Sequence, residues 1–104
     1  MEDELNSLIL EAIEEALQKL TSSVRHVTLY YAEKKFNLPK EEIPKKPERF
    51  EEVLRHIYGS AANYVVAVIN DNIFSKLGLT PKKRHTSLKE AIAKAKMQWV
   101  KRKK

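Results

Sequence analysis

Residues 60–79 read SAANYVVAVINDNIFSKLGL, and the state of this stretch decides the fold. From Ala61 to Ile69 it is apolar almost all round, interrupted only by Asn63, which suits either a buried strand at 64–69 or a helix at the centre of a bundle. Periodicity alone does not separate the two. Ala61 and Ala62 ahead of the run and the exit Phe74-Ser75-Lys76-Leu77-Gly78 favour a helix over 60–77. Gly78 stops it, Leu79 is placed as the hydrophobic contact of a Schellman-type end, and Ser60 is the candidate N-cap. A helix with so little polar surface needs neighbours on several sides.

The flanking sequence supplies them. Upstream, Pro47 suits the first position of a helix over 47–58, with Glu48, Glu51 and Glu52 near its positive end, Phe50, Val53, Leu54 and Ile57 on one face, and Gly59 ending it. Residues 39–47, PKEEIPKKP, hold three prolines in nine positions, which predicts no regular structure, with Ile43 as an anchor into the core. Over 23–36, Val24, Val27, Thr28, Tyr31 and Lys35 make one row and Leu29, Ala32 and Phe36 a second, ending where Asn37 takes a left-handed cap. The run VRHVTLYY would also suit a strand. Its continuation as AEKKF favours the helix.

Residues 2–20 place Leu5, Leu8, Ile9, Ala12, Ile13, Ala16, Leu17 and Leu20 at helical spacing, behind Glu2, Asp3 and Glu4 in a favourable first turn. With Leu10 these span roughly 200° of the helical wheel, about twice the stripe a surface helix needs. Helix 1 must therefore lie between several helices or contribute to a dimer interface. Downstream, Ser87-Leu88-Lys89-Glu90 is a capping box. It opens a helix over 87–101 with the stripe Leu88, Ala91, Ile92, Ala95 and Trp99, in which Trp99 reads as a core anchor.

The expected architecture is all-α: a five-helix orthogonal bundle with helices 2–20, 23–36, 47–58, 60–77 and 87–101. It forms one domain over 1–104 with a basic, fraying tail at 101–104. Phe36-Asn37-Leu38-Pro39-Lys40 and Leu77-Gly78-Leu79-Thr80-Pro81-Lys82 share one grammar, which reads as common capping chemistry.

Charge is the feature that points outward. The first 20 residues hold six acids against one Lys, a formal −5, while 81–104 hold ten Lys or Arg against Glu90 alone, a formal +9. Separated charge of this size attracts polyanions or oppositely charged surfaces. Many of the acids sit at helix starts, and Lys89, Lys96 and Lys103 on one edge of the last helix, with Lys94 and Lys101 on the other, flank a buried stripe rather than forming one basic face. Packing leaves seven cations unexplained: Lys82, Lys83 and Arg84 in a loop and Lys101, Arg102, Lys103 and Lys104 in the tail. They are the candidate phosphate-binding residues, able to hold nucleic acid without reading its sequence.

Enzyme chemistry finds no foothold. There is no Cys, and His26, His56 and His85 have no metal-site spacing. Gly59 and Gly78 are the only glycines, too few for a phosphate loop. No catalytic, cofactor-binding or metal residue is assigned, and no cofactor is expected. The longest unbroken apolar run is 64–69, too short to span a bilayer, and the acidic start is unlike a secretory signal, so a cytoplasmic protein without membrane partners is expected. Charged residues at 33% with two Gly and two Gln lean toward a thermophile.

Residues from about 20 to 79 resemble a family of small uncharacterised archaeal helical domains proposed as signalling output domains. The likeness rests on Ser23, Tyr31 and Phe36-Asn37-Leu38, then Glu42-Ile43-Pro44, Pro47 and Phe50, then Ile57-Tyr58-Gly59-Ser60-Ala61, and finally Lys76-Leu77-Gly78-Leu79. The resemblance implies an all-helical regulatory module and carries no activity. Two readings follow. One is a non-enzymatic regulatory or protein-interaction module, with helix 1 and the Ala93, Met97, Val100 patch as candidate homodimer surfaces. The other is a small basic nucleic-acid-binding protein that uses 82–84 and the tail.

Overall fold

The computed structural model describes the backbone of residues 2–20, 22–80 and 87–103, and the side chains of 3–20, 23–80 and 87–101. Five α-helices follow one another: α1 Glu2–Leu20, α2 Ser22–Phe36, α3 Pro47–Tyr58, α4 Ala62–Lys76 and α5 Leu88–Lys103. Short 3-10 helices occupy Lys40–Lys45 and Gly59–Ala61, and no strand occurs among the described residues. The strand alternatives at 24–31 and 64–69 are therefore resolved as helix.

α4 is the hub. It packs on α1, α3 and α5, burying Ala62, Val65, Val66, Ile69, Ile73 and Phe74. A further contact set joins α1 to α2 and α2 to α3, so the first four helices close a ring and α5 lies over α3 and α4. One apolar cluster fills the interior, with Phe50, Leu54, Ile69 and Ile73 fully inaccessible.

The apolar arc of α1 is taken up inside the chain. Leu5, Ile9, Ala12, Ile13, Ala16 and Leu17 are buried, and Leu8, Leu10 and Leu20 pack against the same cluster. Its three contacting elements, α2, α4 and the Lys40–Lys45 turn, are what the width of that arc called for. Polar bonds then fix the α1–α4 register. Asn72 donates to the Ala12 carbonyl (2.7 Å) and accepts from the Lys19 ammonium (2.9 Å), while Lys76 bridges Glu15 (2.7 Å) and Glu11 (3.4 Å).

Several local expectations change. Residues 39–47 are not irregular: Lys40–Lys45 form a 3-10 helix, entered from Pro39 at φ −68°, with Ile43 and Pro44 buried. Proline removes its own donor, yet the Glu42 amide still reaches the Pro39 carbonyl (2.9 Å) and the Lys46 amide reaches that of Glu42 (3.0 Å), so the turn closes around the gap. Ser60 does not cap α4; it lies in the Gly59–Ala61 turn, and α4 starts at Ala62 without a side-chain cap. Val27 leaves its expected row and is 53% exposed, because the buried line of α2 runs through Thr28 and Ala32. α5 reaches Lys103, two residues past the expected end, so most of the tail is helical backbone.

The stop signals behave as read. Gly78 sits at φ 69°, its amide bonded to the Ser75 carbonyl and that of Leu79 to Phe74 (2.8 Å), the paired bonds of a Schellman motif. Asn37 takes φ 53°, and the Leu38 amide turns back to the Ala32 carbonyl. Of the two halves of the expected capping box, Ser87 Oγ accepts from the Glu90 amide (3.1 Å). A partner that the local sequence does not reveal joins it: Glu51 of α3 accepts from the Leu88 amide (2.8 Å) and from Arg55 (2.7 Å), clamping the start of α5 onto α3.

Candidate interaction surface

The seven candidate phosphate ligands divide by position. Lys82, Lys83, Arg84 and Lys104 lie outside the described residues. Arg102 and Lys103 continue the helical backbone, and Lys101 stands exposed one turn after Met97. The rest of α5 shows how its cations are used. Lys89 pairs with Glu48 of α3 (3.4 Å), Lys96 is half-buried, and Lys94 and Lys101, on the opposite edge, are exposed and make no ion pair among the described residues.

Among the described residues five large apolar side chains remain open to solvent: Tyr64 at 66%, Tyr30 at 65%, Val27 at 53%, Met97 at 51% and Val100 at 45%. In a chain whose core is otherwise closed, such residues are the informative ones. Val27 and Tyr30 lie on the outward side of α2. Tyr64, Met97 and Val100 belong to α4 and α5, which pack on each other. At 100° per residue, Tyr64, Val68 and Asp71 form the outward stripe of α4, opposite Ile73. On α5, Ala93, Met97 and Val100 stand opposite the buried Leu88, Ala91, Ile92 and Ala95, as the sequence expects. Trp99 is half-buried against the core and is not part of the open face.

Sequence reading missed Tyr64, because the run Ala61–Ile69 looked uniformly buried. The signal was present in Asp71 and Ser75, which share the angular sector of Tyr64 and mark that side of α4 as solvent-facing.

A polar concavity lies between α3 and the start of α5, a shallow groove of about 360 Å³ lined by Glu48, Glu51, Glu52, Arg55, Ser87 and Lys89. Its groups are largely committed to one another through Glu48–Lys89, Glu51–Arg55, Glu51–Leu88 and Arg55–Asn63 (3.1 Å). Among the described residues no cluster of His, Asp or Glu has the form of a metal site, and no helix is long and apolar enough to cross a membrane. Displaced acid–base equilibria occur elsewhere. The Lys76 hydrogen bond holds Glu15 below the ordinary glutamate value, and Glu15 in turn raises Lys76; the Lys46 hydrogen bond does the same to Glu42.

No family model, curated protein or solved structure matches the chain.

Proposed function

We propose that this protein is a non-enzymatic regulatory or protein-interaction module that engages its partner through the outer face of α4 and α5. The observation that carries the reading is the open apolar surface on adjacent helices, Tyr64 on α4 with half-buried Val68 beside it, and Met97 with Val100 on α5, over a closed core. Tyr and Met are enriched at the centres of interfaces, and the neighbouring Lys94, Lys101 and Asp71 supply a polar rim.

A second reading, non-specific binding of nucleic-acid phosphates, has its own support: Lys94 and Lys101 lie along one edge of a helix that continues through Arg102 and Lys103. One experiment separates them. Tyr64→Glu with Met97→Glu, and separately Tyr30→Glu, are compared with the wild type in affinity capture from native extract and in DNA and RNA retardation at low salt. The interaction reading expects capture to be lost in the first variant and kept in the second. Capture unchanged by Tyr64→Glu and Met97→Glu, alongside retardation that fades with salt, would replace it with phosphate binding.

A further inference from the structure

Resting on that interaction reading, we infer that the occupant of the α4/α5 face is a second copy of this chain, in a two-fold dimer that lays α5 of each protomer over α4 of the other. The stripes are complementary in charge as well as apolar. α4 presents Tyr64 and Val68 followed by Asp71, an exposed carboxylate with no ion pair among the described residues. α5 presents Met97 between the exposed ammonium groups of Lys94 and Lys101. Laying α5 on α4 of the partner sets Asp71 against these cations and Tyr64 against Met97. Laying α5 on α5 would bring Lys94 and Lys101 toward their own copies.

Geometry closes the assembly. Because α4 and α5 pack on each other within one chain, each protomer carries both halves of the contact. A two-fold axis therefore makes the same contact twice and leaves no half unpaired. A standard interface takes about 800 Å² from each partner, roughly an eighth of the 6426 Å² surface of this chain. Helices of 15 and 16 residues lying side by side offer a face of roughly 23 by 20 Å, about 460 Å² in plan, which is the scale of a small, weakly held interface where a single helix gives half of it.

Sedimentation velocity over a concentration series tests this, with each variant first shown to be folded by circular dichroism. The wild type should dimerise, more tightly in about 0.1 M than in about 1 M salt, since charge screening shortens from about 10 Å to about 3 Å. Asp71→Lys alone, and Lys94→Glu with Lys101→Glu, should each weaken the dimer about tenfold or more, and the three together should restore it. A monomer at every concentration overturns the inference, as does a dimer indifferent to Asp71→Lys or a triple variant without rescue. If the chain is monomeric while Met97-dependent capture persists, self-pairing falls and the interaction reading stands; if both are absent, both fall.

Discussion

α1 and α5 begin from the same excess, more apolar surface than one neighbour covers, and end differently. α1 is enclosed by α2, α4 and the Lys40–Lys45 turn, so its arc is used up inside the chain. Among the described residues α5 rests chiefly on α3 and α4, and Met97 and Val100 stay open on its far side. The width of an apolar face thus tells how many neighbours a helix needs. Whether those neighbours belong to the same chain depends on connection and order. α1 is itself a member of the ring of four helices, whereas α5 follows them in the chain and meets a ring that is already closed.

The contrast breaks most visibly under truncation. Ile69→Ala, on the enclosed side of α4, should cost about 2–5 kcal/mol in denaturant unfolding, whereas Met97→Ala, at a dilution where the chain is monomeric, should change stability by less than about 0.5 kcal/mol. Equal costs would mean that α5 packs outward as well as inward. Next comes the polar lock between α1 and α4. Asn72→Ala removes the bonds to the Ala12 carbonyl and to the exposed Lys19 ammonium, and at about 0.5–1.5 kcal/mol net for each a loss of about 1–3 kcal/mol is expected from the same unfolding curves. A neutral result would show that the bonds of Asn72 are replaced by water.

Backbone conformation gives a similar loss on a sharper test. Gly59 occupies φ 57° and ψ −129°, a region essentially closed to side chains even though an added Cβ meets no atom within 4 Å. Gly59→Ala should therefore cost about 1–3 kcal/mol from strain alone. Asn37→Gly, at φ 53°, should be close to neutral, because that left-handed position already suits glycine.

The smallest effect is electrostatic. Glu15 titrates below its ordinary value of 4.5, chiefly because Lys76 bonds its carboxylate. Its contribution to stability is complete above that ordinary value and disappears as pH falls through the lowered folded value. Lys76→Met removes the contribution, so the stability gap between wild type and variant should narrow on acidification. A gap constant down to strong acid would show that the bridge contributes nothing to folding.

The helices, their end signals and the α5 stripe were legible because each rests on local chemistry: Pro47 at an N-terminus, Gly78 and Asn37 in left-handed caps, and Ser87 bonded to the Glu90 amide. Elements set by distant partners were not. The clamp of Glu51 on the Leu88 amide joins residues 37 apart in the chain, and no local pattern announces it. Val27 fell on the wrong side of α2 because apolar residues lie on both sides of that helix, and its buried line runs through the polar Thr28 and the small Ala32. Tyr64 was hidden by its apolar neighbours. The charged segment that stood out in the sequence is the part least described, with Lys82, Lys83 and Arg84 outside the described residues.

The most direct test follows the methyl group of Met97, one of only two methionines in the chain. With methyl-labelled methionine and isoleucine, relaxation by a soluble gadolinium chelate is recorded over a dilution series. At low concentration the Met97 methyl should be strongly relaxed while those of Ile13 and Ile69 are shielded, and raising the concentration should shield Met97 alone. A Met97 methyl already shielded at the lowest concentration, or one equally relaxed at the highest, would contradict an open α4/α5 face that closes on a second copy.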